Sequence, residues 1–167
     1  MKYRYSFLIF LAAFIFQGTF LNAIEAFGVT PDLILCFVVM FSFLYSKEMH
    51  AVIFGTVFGF LADICFIQYP GVSALGYFIT AIAVIAASRV LNRENIGTAI
   101  VLVTSATVLF GFYLFFFNMF MGGADDIRML LLRMPLMVVL NVITSMIIYQ
   151  FFIRRVVRFR NDRYYRS

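Results

Sequence analysis

Long apolar stretches alternate along this chain with short polar breaks, and charge is concentrated in the breaks. A helix needs about 17–25 mostly apolar residues to cross the hydrocarbon core of a bilayer. The pattern predicts six spans, at Ser6–Ile24, Asp32–Ser46, His50–Ile67, Val72–Leu91, Thr98–Met121 and Met134–Ile153. The second is short for a spanning helix, and reading it as a re-entrant segment would change the topology. The breaks carry the chemistry of turns and helix ends. Pro31-Asp32 reads as a helix start and Tyr69-Pro70-Gly71 as a tight turn. Gly122-Gly123-Ala124-Asp125-Asp126 reads as a flexible loop ending in N-cap acids, and Pro135 either starts the last span or kinks it.

Composition strengthens the membrane reading. Of the 167 residues 64% are hydrophobic and only 13% charged, against about 45–50% and about 25% in a soluble domain. Mean hydropathy is +1.00. With no linker-like or soluble domain-sized segment, one transmembrane domain over residues 1–167 is expected: an all-α polytopic bundle of six helices.

Charge then sets the orientation. Lys2, Arg4, Lys47, Arg89, Arg93 and the tail arginines Arg154, Arg155, Arg158, Arg160, Arg163 and Arg166 all fall on one side of a six-span arrangement. The alternate loops hold only Arg128 and Arg133. Positive residues mark the cytoplasmic side, so both termini are expected there. Removing the short second span would scatter the basic segments over both faces. The tail at 154–167 has the pattern of a cytoplasmic flank facing anionic lipid, and its placement favours lipid over nucleic acid as the source of the +5 net charge. The N-terminus opens like a signal peptide, but its apolar run is long and the small-residue site near Ala23 or Ala26 is weak, so an uncleaved span is expected. Tyr3, Tyr5, Tyr45, Tyr69, Tyr164 and Tyr165 lie at or beyond predicted ends, as interfacial anchors do.

One stripe stands out within the apolar runs. Gly55, Gly59 and Asp63 recur every fourth residue and so share one face of the third predicted helix. Glycines at that spacing let a second helix approach closely, within this chain or from another. An acid inside a membrane span is by default a relay or ligand site. Asp63 is also near the outer end of its span, where it would cap a loop, bind water or pair with Arg133. That structural role is the favoured one. Glu25 and Asp32 share the outer side as solvated or capping acids, and Asn141 in the last span needs a buried hydrogen-bond partner.

Catalytic and cofactor signals are absent from the sequence. His50, the single histidine, lies beside Lys47 and Glu48 and reads as solvated at the interface. Cys36 and Cys65 lack metal-type spacing and read as small buried apolar side chains. No phosphate-binding glycine loop, metal cluster or haem motif occurs, so no cofactor is expected.

Pro31-Asp32-Leu33-Ile34-Leu35, then Gly55-Thr-Val-Phe-Gly59-Phe-Leu-Ala-Asp63, then Pro70-Gly71-Val-Ser-Ala-Leu75-Gly76-Tyr77 resembles the bacterial rod shape-determining protein MreD family. The shared features are a Pro-Asp start to the second span, a glycine-rich third span ending in an acid, and a Gly-x-x-Ala-Leu turn into the fourth. The segment from Pro135 to Asn141 is also similar, and the likeness covers nearly the whole chain. The motif positions carried over are Pro31, Asp32, Gly55, Gly59, Asp63, Gly71 and Pro135. Resemblance implies a fold similar to the six-helix substrate-binding subunits of energy-coupling-factor vitamin transporters. It also implies a non-enzymatic component of the cell-elongation machinery in the bacterial plasma membrane. The implied main partner is the single-span protein MreC, within an assembly holding the actin-like MreB and peptidoglycan synthases.

Two functions compete. A scaffold would act through helix packing at small-residue stripes and desolvated polar contacts. A vitamin-transporter subunit would need an outward pocket with convergent polar groups, for which only Glu25, Asp63, Gln68 and Arg133 are candidates. An intramembrane enzyme would need Asp63 to meet a second acid or a nucleophile. The scaffold is the expected function.

Overall fold

A computed structural model describes residues 3–21, 29–44, 49–66, 69–91, 95–123 and 126–164, with side chains described for 4–19, 29–44, 49–65, 69–91, 95–123 and 126–151. Glu25, Gln68, Lys2, Lys47, Glu48, Arg93 and Asp125 lie outside the described residues, as do Tyr45 and Tyr165.

The described chain is all-helical: α1 (Tyr3–Phe16), α2 (Leu33–Leu44), α3 (Met49–Phe66), α4 (Val72–Ser88), α5 (Ile96–Phe120) and α6 (Ile127–Tyr164), with a π-helical turn, Gln17–Leu21, extending α1. Helix starts follow the capping residues. Asp32 Oδ1 accepts from the Leu35 N–H at 2.9 Å, and the Asn95 side chain accepts from the Gly97 N–H at 2.9 Å. Asp126 Oδ1 likewise accepts from the Arg128 N–H at 2.9 Å. Each of these satisfies a backbone donor that the first helical turn leaves unpaired.

Helix α2 is the hub. Its 12 residues cover about 18 Å, well short of the about 30 Å of a bilayer core. Apart from Leu33 and Phe37, every residue in it is buried. It packs against α1, α3, α4, α5 and α6, so it is surrounded by protein. One core cluster joins its Cys36, Val39, Met40 and Phe43 to Val103 and Ala106 of α5 and Tyr149 of α6. A second joins its Ile34, Val38 and Phe41 to Phe10 of α1, Phe58 of α3 and Tyr77 of α4.

The outer surface is apolar as well. On α3, Ile53, Val57, Phe60, Leu61 and Ile64 are exposed, while Phe58, Ala62 and Asp63 face inward. Helices over Ile96–Phe120 and Ile127–Phe151 are long and apolar enough to cross a membrane, and the other four are shorter apolar helices.

The observed bounds correct the predicted last span. Helix α6 begins at Ile127, ahead of the predicted Met134, because Asp126 caps it there. Pro135 therefore lies inside the helix, on its exposed side. The missing proline N–H leaves the Leu131 carbonyl without its usual helical donor. The helix continues to Tyr164, so the arginines from Arg154 to Arg163 lie on its extension.

Candidate functional site

Of the polar residues singled out from sequence, Asp63 and Asn141 are buried and Asp32 is half-buried. Asp63, near the end of α3, is fully buried. Its Oδ2 accepts from the Gly71 N–H at 3.0 Å and the Ala74 N–H at 3.2 Å. Gly71 is the N-cap of α4 with φ +102°, a left-handed conformation that glycine adopts at little cost, and it brings no capping side chain of its own. The carboxylate from the preceding helix fills that role, and a negative group at a helix N-terminus also suits the helix dipole. Asp63 Oδ1 makes no hydrogen bond among the described residues. Arg133 is exposed, whereas Asp63 is enclosed.

The glycines of the stripe permit this closeness. A Cβ on Gly59 would lie 2.5 Å from Tyr77 Cδ2 and 3.0 Å from the Ala74 Cα. A Cβ on Gly55 would lie 2.5 Å from Val38 Cγ2. The stripe therefore meets α2 at one end and α4 at the other, inside this chain.

A second network centres on Asp32. Its Oδ2 accepts from the Tyr77 hydroxyl at 2.7 Å, and its N–H donates to Asn141 Oδ1 at 2.8 Å. Asn141 Nδ2 donates to Thr107 Oγ1 at 3.2 Å, and the Cys36 thiol donates to the Asn141 carbonyl at 3.5 Å. Gln17 Oε1 accepts from the Ile34 N–H at 3.2 Å. Through these bonds the start of α2 is tied to α4, α5, α6 and the turn after α1. Tyr77 also stacks on Phe110 of α5, with centroids 4.8 Å apart and planes 8° from parallel. Tyr113 of α5 donates to the Val72 carbonyl at the start of α4 at 3.0 Å.

Two expectations are overturned. His50 is only 2% exposed, not solvated, because Ser6 of α1 supplies a hydrogen-bond partner at 2.9 Å from Nδ1 and Phe54 packs edge-on. Cys65 is exposed on the outward face of α3, beside the exposed Ile64, while Cys36 is buried on the central α2. The sequence pattern assigns no role to Gln17, Tyr77 or Thr107, each of which bonds across helices. Gln17 is a polar residue following an apolar run, the kind of signal that marked Asn141, whereas Thr107 shares its stretch with Thr104 and Ser105 and is not singled out locally.

These groups suit structure better than turnover. The two acids are engaged by backbone N–H groups and a tyrosine hydroxyl. The Ser6–His50 pair lies about 20 Å along α3 from Asp63, too far for the three to act together. Among the described residues no group of His, Cys, Asp and Glu is placed to hold a metal ion.

An all-helical protein with membrane-capable helices, an apolar exterior and buried polar groups that tie its helices together is the class defined by this architecture. A family model described as rod shape-determining protein MreD matches residues 1–160, nearly the whole chain. The chain belongs to that family of shape-determining structural proteins. No curated protein and no solved structure matches it.

Proposed function

We infer that this chain is a non-enzymatic integral membrane scaffold of the cell-elongation complex, with six spans and both termini in the cytoplasm. In this reading it forms a single transmembrane domain, binds MreC, and helps position peptidoglycan synthesis within an assembly that includes MreB and the synthases. Its basic tail, with Arg154, Arg155, Arg158 and Arg160, rests on anionic lipid.

The observation that carries this reading, beside family membership, is how the buried polar groups are used. Asp63 holds the start of α4, and Asp32 joins α2 to Tyr77 and Asn141. Such bonds fix relative helix positions in a medium that supplies no competing water. A rigid, apolar-faced bundle of this kind is suited to presenting a fixed surface to another membrane protein. The vitamin-transporter alternative gains nothing from the interhelical groove between α4 and α5, whose lining is apolar.

The test is affinity purification of the intact tagged chain from membranes of a rod-shaped bacterium, with identification of what remains bound. Recovery of MreC supports the scaffold. Recovery of the chain without MreC, together with tight binding of a small vitamin, overturns it.

A further inference from the structure

With α5 and α6 read as membrane spans, depth decides what an exposed apolar residue means, because the bilayer covers those within its core. On α6 the run 134–153 carries no charge and covers about 30 Å, the thickness of the hydrocarbon core, between Arg133 and Arg154. Ile143, exposed near the middle of that run, is covered by lipid in this arrangement. Ahead of Arg133, the start of α6 from Ile127 to Leu132 stands about 9 Å beyond the core on the outer side. Helix α5 leaves the core at a matching level, since a Cβ on its Gly111 would lie 2.8 Å from Met134. From Gly111 it runs on to Phe120, about 13 Å further. The headgroup layer is only about 5–7 Å deep. Helix α4 gives this projection no cover, because Tyr113 bonds the carbonyl of its first residue, Val72, at 3.0 Å.

The projecting tip stays apolar through the headgroup layer and past it. Phe120 is 87% exposed and Leu132 79%, and Phe116, Met119, Met129 and Leu131 are exposed as well. Outside the hydrocarbon core such a patch marks a contact with another protein. Arg128 and Arg133 are exposed on the same stretch of α6, and neither has an ion pair among the described residues. Asp126 does not neutralise the tip's charge on its own, and its Oδ1 is engaged by the Arg128 N–H as the helix cap. Two copies meeting tip to tip would set these arginines against each other, which is unfavourable. The surface that covers the tip is therefore apolar at its centre and acidic at its rim, the arrangement of a specific interface.

We propose that the α5–α6 tip is a docking arm that enters an apolar cleft, rimmed by carboxylates, on the outer-side part of a partner protein. This deepens the scaffold reading, and it rests on that reading and on the six-span orientation.

The test is photocrosslinking of the full chain in native membranes, with p-benzoylphenylalanine introduced at Phe120 or, for comparison, at Ile143. The Phe120 probe is expected to give a discrete protein adduct, which mass spectrometry maps to an outer-side peptide containing Asp or Glu. The Ile143 probe does not reach that peptide. Reversing both charges, Arg128→Glu with Arg133→Glu, lowers the adduct by about tenfold. Leu132→Ser, which removes an apolar anchor, lowers it by about tenfold as well. All three residues are exposed, and thermal unfolding matching that of the unmodified chain verifies the fold of each variant. An adduct to lipid alone, to a second copy of the chain or to a cytoplasmic peptide overturns the arm. So does the lack of any adduct, or an adduct that neither variant weakens. Recovery of MreC with the unmodified tagged chain separates the two readings. If MreC is recovered while the adduct fails, the arm alone is overturned. If MreC is not recovered and a vitamin binds tightly, the scaffold is overturned and the arm with it.

Discussion

The Asp63 carboxylate, buried near the end of α3, accepts the Ala74 N–H at 3.2 Å and so closes the first turn of α4. The same oxygen holds the Gly71 N–H, which makes one acid the cap of a helix that it does not belong to. Removing it strands two backbone donors in an apolar setting. Asp63→Ala is expected to destabilise the bundle by about 1–3 kcal/mol, and Asp63→Asn by less, because the amide oxygen still caps α4. Thermal unfolding in detergent and amide exchange at Ala74 measure both. Equal stability of Asp63→Ala and the unmodified chain would contradict the cap.

At Gly59 α3 approaches α4 with no room for a side chain. A side chain there meets the Ala74 backbone as well as the Tyr77 ring, and backbone cannot rotate away. Gly59→Ala is expected to cost about 1–3 kcal/mol, and Gly59→Leu to break the α3–α4 contact or the bundle itself. Val57→Ala, on the exposed side of the same helix, serves as a control within about 0.5 kcal/mol. Co-purification of MreC with each variant then tests whether scaffold function follows the packing. A Gly59→Leu chain that keeps both its fold and its partner would exclude the stripe as a packing surface.

The Asp32–Tyr77 bond joins α2 to α4 across 2.7 Å. In Tyr77→Phe the carboxylate loses its hydroxyl donor, and in Asp32→Ala the hydroxyl loses its acceptor. The double variant should therefore cost less than the two singles combined. A coupling of about 0.6 kcal/mol, and at most about 1.7, is expected for a bond between membrane helices. The readout is a double-mutant cycle by reversible unfolding in mixed micelles, and strict additivity would show that the bond contributes nothing.

Asn141 accepts from the Asp32 backbone and donates to Thr107, so it links three helix segments through one side chain. Asn141→Leu keeps the branched shape and heavy-atom count and leaves the Asp32 N–H without that acceptor. A loss of about 1–3 kcal/mol is expected. Adding Thr107→Val should cost little more, since that hydroxyl has already lost its amide donor.

The cysteines report the bundle's inside and outside. Cys65 is exposed and Cys36 buried. A membrane-permeant maleimide should label Cys65 in the folded chain, with Cys36 reacting only after unfolding. Mass spectrometry of single-cysteine variants reads the result, and rapid labelling of Cys36 would place α2 away from the centre.

Much of the architecture was legible in the residues. Apolar run lengths located all six helices, and the Pro31-Asp32 and Pro70-Gly71 signals located the starts of α2 and α4. The same motifs in order pointed to the family whose model covers residues 1–160. Boundaries were less legible at α6, because Asp126 and the apolar turn after it extend the helix ahead of Pro135. His50 was misread because its neighbours in sequence are charged, whereas its neighbour in space is Ser6 on α1.

Where the helices run, to within a turn or two at their ends, and the shared face of Gly55, Gly59 and Asp63 can both be read along the chain. Hydrophobic length and helical period are local properties, so they can be counted along the chain. What that face meets is set by helix packing: Val38 at Gly55, Tyr77 and Ala74 at Gly59, and the α4 N–H groups at Asp63. Packing also places short α2 at the centre and joins Asp32, Tyr77, Thr107 and Asn141 in one network. A hydrogen bond lies between atoms brought together by helix packing, and periodicity carries no record of which helices adjoin.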